Sequence, residues 1–222
     1  MIPLTDDIRP PRVAFVNYAL IAANVATFVW EVRAGDALET HLKTYGLVPA
    51  RFFATEDLVA RWTPFLTSMF LHGGILHVAG NLLYLHVFGD NVEGRLGHLR
   101  FLIFYLLCGL AAAGLQVAMF PRSTMPMIGA SGAIAGVTGA YFVYFPRARV
   151  LTVVPVFFFP RLVRVPAVFF LFLWFALQLV YGATSLDGEG AGGGVAWWAH
   201  VGGFLGGMIA AVVLAPRRRR RS

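Results

Sequence analysis

Charged residues are scarce in this chain. Only 13% of its 222 residues are Asp, Glu, Lys or Arg, whereas a typical soluble domain has about 25%. Hydrophobic residues make up 58% of the sequence, and the mean hydropathy is +0.70. These values exclude an ordinary soluble globule and predict an all-α polytopic membrane protein. The length suits a single domain over residues 1–222.

Cysteine is nearly absent too. The single Cys108 excludes a framework of disulfides. What the chain does have is long apolar runs, and six of them reach or approach the roughly 20 residues that cross a bilayer. The predicted spans are 13–30, 65–88, 101–120, 125–145, 165–183 and 195–215. The first is not predicted to be a cleaved signal peptide, because Asp6 and Asp7 offset the basic charge ahead of it.

Basic residues divide unequally between the two sides of this six-span topology. Thirteen of the 18 Lys and Arg residues fall on one side and five on the other. Because cytoplasmic loops carry the excess of basic residues, both termini are predicted to be cytoplasmic, in a prokaryotic inner membrane. The arginine run 217–221 directly follows the last span. It is interpreted as an anchor beside anionic lipid and not as a nucleic-acid site, since no aromatic-interleaved basic face accompanies it.

Four stretches outside the spans carry their own expectations. The loop 31–64 mixes charged and apolar residues, which predicts short interfacial helices. Segment 146–164 contains Pro155 and Pro160 in its interior, which predicts a partly immersed turn. The glycine-rich loop 187–194 is predicted to be mobile. Asp90 and Glu93 lie near arginines, which suggests a solvated patch of ion pairs.

Two reactive side chains lie in apolar segments, where ionisable and polar groups are costly and usually functional. Ser131 follows the predicted start of the fourth span by six residues, and His200 follows that of the sixth by five. At about 1.5 Å per residue, both lie roughly 8–9 Å below the same face. The sequence therefore predicts that the hydroxyl and the imidazole meet.

Glycine pairs beside both residues favour this meeting. Gly132 and Gly136 form a GxxxG pair next to Ser131, and two overlapping pairs follow His200 (202/206 and 203/207). Such small-residue seams allow membrane helices to approach closely. Ordinary helix packing explains a single GxxxG equally well, but two seams, each beside a reactive side chain, are more specific.

The second span offers supporting polar groups. His77 and Asn81 are spaced i,i+4 and share one helix face. They are candidates for stabilising an oxyanion, together with the backbone amide of Ser131. Hydrogen bonding between membrane helices is the alternative interpretation. No Asp or Glu lies in the fourth or sixth span, so a Ser131–His200 dyad without a third carboxylate is predicted.

These residues lie in motifs that resemble those of a known family. Four segments resemble signatures of the rhomboid intramembrane serine proteases and occur in the family's order along the chain. They are LHGGILHVAGN (71–81), FGDNVEGRLG (88–97), GASGAIAG (129–136) and AHVGGFLGG (199–207). The resemblance implies a six-helix bundle that cleaves transmembrane protein substrates. It implies Ser131 as nucleophile, His200 as base, His77 and Asn81 on the oxyanion side, and a structural role for His72. No cofactor or metal is implied.

The sequence departs from the family pattern at two places. Many members have Trp-Arg in the first loop, whereas Trp62 is followed here by Thr63. Some members have a tyrosine one helical turn after the nucleophile, where it stacks on the histidine, and Ala135 occupies that position here. The loop contact and the aromatic support for His200 are therefore not implied by the resemblance.

Other functions compete with proteolysis. A catalytically silent protein that binds transmembrane helices would retain the same fold. A transporter is disfavoured because the spans offer no charged pathway and no internal repeat. A metal or haem site is disfavoured because the six histidines form no HxxxH or HExxH motif, although His77 and His200 are a possible haem pair.

Overall fold

The computed structural model describes residues 1–156, 159–186 and 194–215. The predicted mobile loop 187–194, apart from Gly194, and the arginine run 217–221 lie outside the described residues. The elements, in chain order, are β1 (Ile2–Asp6), α1 (Phe15–Arg33), α2 (Leu38–Tyr45), α3 (Pro49–Ala54), α4 (Leu58–Thr67), α5 (Ile75–Tyr84), α6 (Asp90–Leu96), α7 (His98–Met119), α8 (Ser131–Tyr144), β2 (Arg149–Val156), β3 (Phe159–Pro166), α9 (Ala167–Thr184) and α10 (Trp197–Leu214).

Four helices in the described part of the chain are long and apolar enough to cross a bilayer, namely α1, α7, α9 and α10. A fifth candidate is broken into Leu58–Phe70 and Ile75–Leu96, which are bent by 80° relative to each other. The fold is therefore mostly helical with several apolar spans. Helices α2 and α3 confirm the short helices predicted for the first loop.

Glycine accounts for the break in the second span, which was predicted over 65–88. Regular helix begins only after the Gly73-Gly74 pair, since α5 begins at Ile75 and Gly74 has a φ of 153°. A backbone at this φ favours a residue without a Cβ atom. From Ile75 the helix continues through a π-helical turn at Leu85–Gly89 into α6.

The fourth span also differs from its prediction. A helix from residue 125 was expected, but α8 begins at Ser131 and has 14 residues. Pro126 has no amide hydrogen for a helix, and Gly129 has a φ of 122°, so the preceding residues form a loop. Ser131 is therefore the first residue of its helix instead of lying two turns inside it.

Helix α8 is the centre of the molecule. Every residue from Gly132 to Tyr141 is buried, and most of them are glycine, alanine or another small residue. Small side chains allow α7 and α10 to pack closely on two sides of α8. This central position fixes the helix that carries Ser131.

A three-stranded antiparallel sheet was not predicted. Its order is β1-β2-β3, with Asp6 opposite Val150 and Arg149 opposite Pro166. Most of segment 146–164, where a turn was expected, instead forms a β-hairpin, so the fold is mostly helical with one small sheet and not purely α-helical. β-branched residues in β2 favour the extended backbone, and Pro155 pairs with Pro160 beyond the part of β2 that β1 contacts.

Strand β1 is attached to the helices by Asp6. Its carboxylate accepts hydrogen bonds from the hydroxyl of Tyr141 at 2.5 Å and from the side-chain amide of Asn91 at 2.8 Å. Burial raises the pKa of Asp6, although the hydrogen bond from Tyr141 opposes the shift. The N-terminal strand therefore contacts α6 and the end of α8.

Glu93 was expected to lie in a solvated patch of ion pairs, and this expectation is wrong. It is fully buried, and its carboxylate accepts hydrogen bonds from the backbone N–H groups of Val16 and Asn17 at 3.0 and 2.6 Å. These N–H groups lie in the first turn of α1, where helical partners are missing. His98 lies 2.5 Å from the same carboxylate. Glu93 thus caps α1 and joins it to α6.

Candidate active site

The Ser131 side chain lies where a loop turns into a helix. Gly129 precedes it with a φ of 122°, and the Gly129 N–H donates to the Ser68 carbonyl at 2.8 Å. The first N–H groups of a helix have no intrahelical partner. At Ser131, a hydroxyl and backbone N–H groups without an intrahelical partner therefore lie close together.

His200 lies in the first turns of α10, and its imidazole faces Ser131. The distance from His200 Nε2 to Ser131 Oγ is 2.9 Å. This is a hydrogen-bonding distance between an imidazole nitrogen and a hydroxyl. The structure thus brings together the two residues that the sequence singled out.

The glycine seams account for this close approach. A Cβ atom added to Gly203 would overlap the Gly132 carbonyl oxygen, and one added to Gly207 would overlap that of Gly136. The second pair on α10 faces α7 instead, since a Cβ atom on Gly202 would lie 2.8 Å from the Cβ atom of Leu115. Consecutive glycines on α10 therefore allow α8 and α7 to pack against it at once.

A cavity of about 480 Å³ opens beside the two residues. His77 and Asn81 of α5 line it together with Ser131 and His200. A Cβ atom on Gly129 would lie 2.8 Å from His77 Nε2, so that nitrogen lies beside the loop that leads to Ser131. Asn81 is only 7% exposed, and its side-chain nitrogen has no hydrogen-bond partner among the described residues.

Two further histidine contacts surround the cavity. The Gly73 N–H donates to His77 Nδ1 at 3.3 Å. The ring of His72, whose backbone N–H donates to Glu31 at 2.9 Å, lies edge-on to His77 with centroids 5.2 Å apart. No group of three metal-ligating side chains occurs in the part of the chain that the structure describes.

Comparison with known proteins identifies the family. The model for the Rhomboid domain matches residues 59–217. The chain belongs to the rhomboid family. The predicted resemblance is thereby confirmed, and this rhomboid is an integral membrane protein.

Three relatives illustrate the range of the family. The chain is 30% identical to the Rhomboid protease GluP of Bacillus subtilis (strain 168) over 199 residues, which cover 89% of this chain and 34% of GluP. It is 26% identical to the Rhomboid protease AarA of Providencia stuartii over 220 residues, with coverages of 92% and 75%. It is 32% identical to the Inactive rhomboid protein 1 of Drosophila melanogaster over 95 residues, with coverages of 43% and 6%. The chain thus spans about a third of GluP.

The imidazole of this rhomboid has a second polar neighbour that the sequence interpretation missed. His200 Nδ1 lies 2.8 Å from Oε1 of Gln178 on α9. The side-chain nitrogen of Gln178 in turn donates to the Trp174 carbonyl at 3.1 Å. One signal was available, since Gln178 is the only amide side chain in the predicted span 165–183.

Aromatic contact with His200 comes from α9 and α10, and not from the position on α8 where some members of the family have a tyrosine. Ala135 occupies the position of the tyrosine of some members, and the ring of Trp174 lies 5.8 Å from the His200 ring at an angle of 36°. Trp197 meets the same imidazole edge-on at 6.1 Å. Helix α9 therefore supplies both an aromatic neighbour and a hydrogen-bond partner to His200.

Proposed function

We propose that this rhomboid is an intramembrane serine endopeptidase that uses a Ser131–His200 dyad. The observation that carries the proposal is the 2.9 Å contact between Ser131 Oγ and His200 Nε2 beside a cavity. A serine hydroxyl is a weak nucleophile until an adjacent base accepts its proton. Here the only base within hydrogen-bonding distance of Oγ, among the described residues, is His200.

Acylation follows from this geometry. Ser131 Oγ attacks the carbonyl carbon of a peptide bond while its proton moves to His200 Nε2. The C–N bond then breaks, and His200 returns the proton to the departing amine. The products of this half-reaction are a free amine and an ester between the substrate acyl group and Ser131.

Deacylation reverses the roles of the groups. His200 Nε2 accepts a proton from a water molecule, and the resulting hydroxide attacks the ester carbonyl. The C–O bond to Ser131 breaks, and the proton passes from Nε2 to Oγ. A carboxylic acid leaves, and the dyad regains its starting protonation state.

The oxyanion is stabilised by donors from α5 and from the start of α8. The Gly73 N–H donates to His77 Nδ1, so in the neutral ring the proton lies on Nε2, beside Gly129. The side-chain nitrogen of Asn81 lines the same cavity and has no hydrogen-bond partner among the residues that the structure describes. Preformed donors of this kind stabilise charge as it develops and need no reorganisation.

An Asn81→Leu variant tests the role of the amide. We expect kcat for a transmembrane substrate to fall about a hundredfold with little change in KM, because one oxyanion donor is lost. The matched control is Asn24→Leu, which removes another buried amide on α1, away from the cavity. Equal kinetic losses in the two variants would show that Asn81 serves only the packing of the helices.

The topology and the substrates complete the proposal. We propose one domain with six spans, both termini cytoplasmic and residence in a prokaryotic inner membrane. Because α8 is short and buried, the fourth crossing includes the loop before it. Substrates are transmembrane proteins, partly unwound so that a peptide bond reaches Ser131. In an intact transmembrane helix, the hydrogen bonds of the backbone protect each peptide bond from attack.

A catalytically silent protein that binds transmembrane helices is the second candidate. Similarity to the Inactive rhomboid protein 1 of Drosophila melanogaster favours it. It predicts that Ser131 is not activated, whereas the proposed protease requires an activated hydroxyl.

Labelling with a fluorophosphonate separates the two candidates. We expect the probe to phosphonylate Ser131 Oγ with loss of fluoride, because His200 accepts the hydroxyl proton. The adduct is located by peptide mass spectrometry on detergent-solubilised protein. Thr138→Ala is the matched control, since it removes a buried hydroxyl of the same helix. Protein that stays unlabelled while correctly folded would favour the silent binding protein.

A further inference from the structure

We propose that Gln178 is a positioning residue that holds His200 in the tautomer with the proton on Nδ1. This inference rests on the proposed protease function and adds a third side chain to the dyad. Gln178 is not among the described residues that line the cavity beside Ser131, and it acts through the imidazole. Its contacts determine which ring nitrogen is free to accept the serine proton.

The orientation of the Gln178 amide follows from its neighbours. Its Nε2 lies 3.1 Å from the carbonyl oxygen of Trp174, one turn earlier on α9. A carbonyl oxygen only accepts hydrogen bonds, so the NH₂ group must face it. The amide oxygen therefore faces His200 Nδ1, at 2.8 Å.

This orientation fixes the tautomer of His200. An amide oxygen only accepts hydrogen bonds, so Nδ1 must carry the ring proton. In the neutral imidazole the other nitrogen then has a lone pair. That nitrogen, Nε2, lies 2.9 Å from Ser131 Oγ. Gln178 thus leaves the base unprotonated on the side where the serine needs it.

The contact between the two helices is held at more than one point. Gln178 is only 5% exposed, so water does not replace it readily. The indole N–H of Trp198 on α10 donates to the Gly182 carbonyl on α9 at 3.0 Å. Because Gln178 and Gly182 are one turn apart on α9, and Trp198 and His200 both lie in the first turn of α10, this second hydrogen bond fixes the register between Gln178 and His200.

A neutral partner suits this location. A carboxylate in the same place would stabilise an imidazolium, but an ion buried among apolar helices is costly. An amide oxygen orients the ring without that cost. The absence of acidic residues from spans four and six therefore does not leave the imidazole without a polar partner.

A Gln178→Met variant tests the inference. Methionine has a similar length and is apolar, so the hydrogen bond is lost while most of the packing is retained. We expect kcat to fall about tenfold, because a tenfold loss of rate corresponds to the free energy of about one hydrogen bond. KM should stay nearly unchanged. In the ¹⁵N spectrum of histidine-labelled protein, we expect the His200 signals to gain a population with the proton on Nε2. The His200→Ala spectrum assigns these signals.

Two further variants exclude a purely structural role. Gln178→Glu, as the neutral carboxylic acid, retains a carbonyl oxygen that accepts from Nδ1. It should keep kcat within about threefold of wild type, less than the loss of one ordinary hydrogen bond. Gln116→Met removes another intramembrane glutamine, whose Oε1 accepts from the Ala199 N–H of α10 at 3.2 Å. It should leave the His200 tautomer unchanged, even where it lowers the melting temperature.

The outcomes distinguish this inference from the proposed function. If Ser131→Ala retains cleavage, the protease proposal itself is wrong. If Ser131→Ala is inactive but Gln178→Met keeps its kcat and an Nδ1-protonated His200, only the role of Gln178 is overturned. A Glu variant as slow as the Met variant would likewise contradict the role of the acceptor.

Discussion

Ser131→Ala is expected to lower the rate of substrate cleavage by roughly 10⁴-fold or more, and His200→Ala by a similar factor. The first variant removes the nucleophile and the second removes the only base that contacts it among the described residues, at 2.9 Å. Because the two side chains act as a unit, the double variant should be no slower than either single variant. The measurement is cleavage of a transmembrane substrate by protein reconstituted in liposomes.

The control for this series is His86→Ala. His86 is exposed, on the π-helical turn between α5 and α6, and does not line the cavity. The His86→Ala variant should therefore cleave the transmembrane substrate at the wild-type rate. If the effects of Ser131→Ala and His200→Ala multiply in the double variant, the two residues act independently and the dyad is wrong.

Local sequence sufficed to predict the meeting of Ser131 and His200. Each residue is directly followed by a glycine seam, so the element that carries the reactive group also carries the surface that brings the other helix close. The seam residues Gly132 and Gly203 lie within three positions of the residue that they serve. Motifs in which the chemistry and the packing share one helix face can be recognised without a structure.

Gln178 could not be placed from the sequence for the opposite reason. It lies on α9, and its distance from His200 depends on the register of α9 against α10. That register is set by tertiary contacts such as the one between Trp198 and Gly182. A lone glutamine in an apolar helix indicates that a polar partner exists, but not which one.

The sheet and the start of α8 show a second limit of the sequence prediction. Segment 149–166 is largely apolar and contains three prolines, and the same composition fits an immersed turn or a hairpin. Pairing with β1, more than 140 residues away, favours the sheet. For α8, hydropathy located the apolar segment, but Pro126 and Gly129 decided where helix begins. Hydropathy thus predicts where an apolar segment lies, whereas the backbone requirements of single prolines and glycines determine the residue at which its helix begins.

Gly203→Ala is expected to lower cleavage by more than a hundredfold and to lower the melting temperature. The added Cβ atom would overlap the Gly132 carbonyl oxygen and would lie 2.9 Å from the Gly132 carbonyl carbon. Both atoms belong to the backbone of a buried helix, so α8 and α10 must separate. A displacement of about 1 Å at a catalytic geometry costs on the order of a hundredfold in rate. Overpacking of this kind costs about 1–3 kcal/mol of stability.

Gly114→Ala is the matched control, because it makes the same chemical change in a helix of similar character. Apart from its chain neighbours and the backbone of its own helix, no atom of the described residues lies within 4 Å of the Cβ position on Gly114. Alanine is favoured over glycine in a helix by about 1 kcal/mol, so this variant should be as active as wild type and at least as stable. Rates and melting temperatures of the two variants are compared in the same detergent. If Gly203→Ala cleaves substrate as fast as Gly114→Ala, contact between α8 and α10 is not what holds Ser131 against His200.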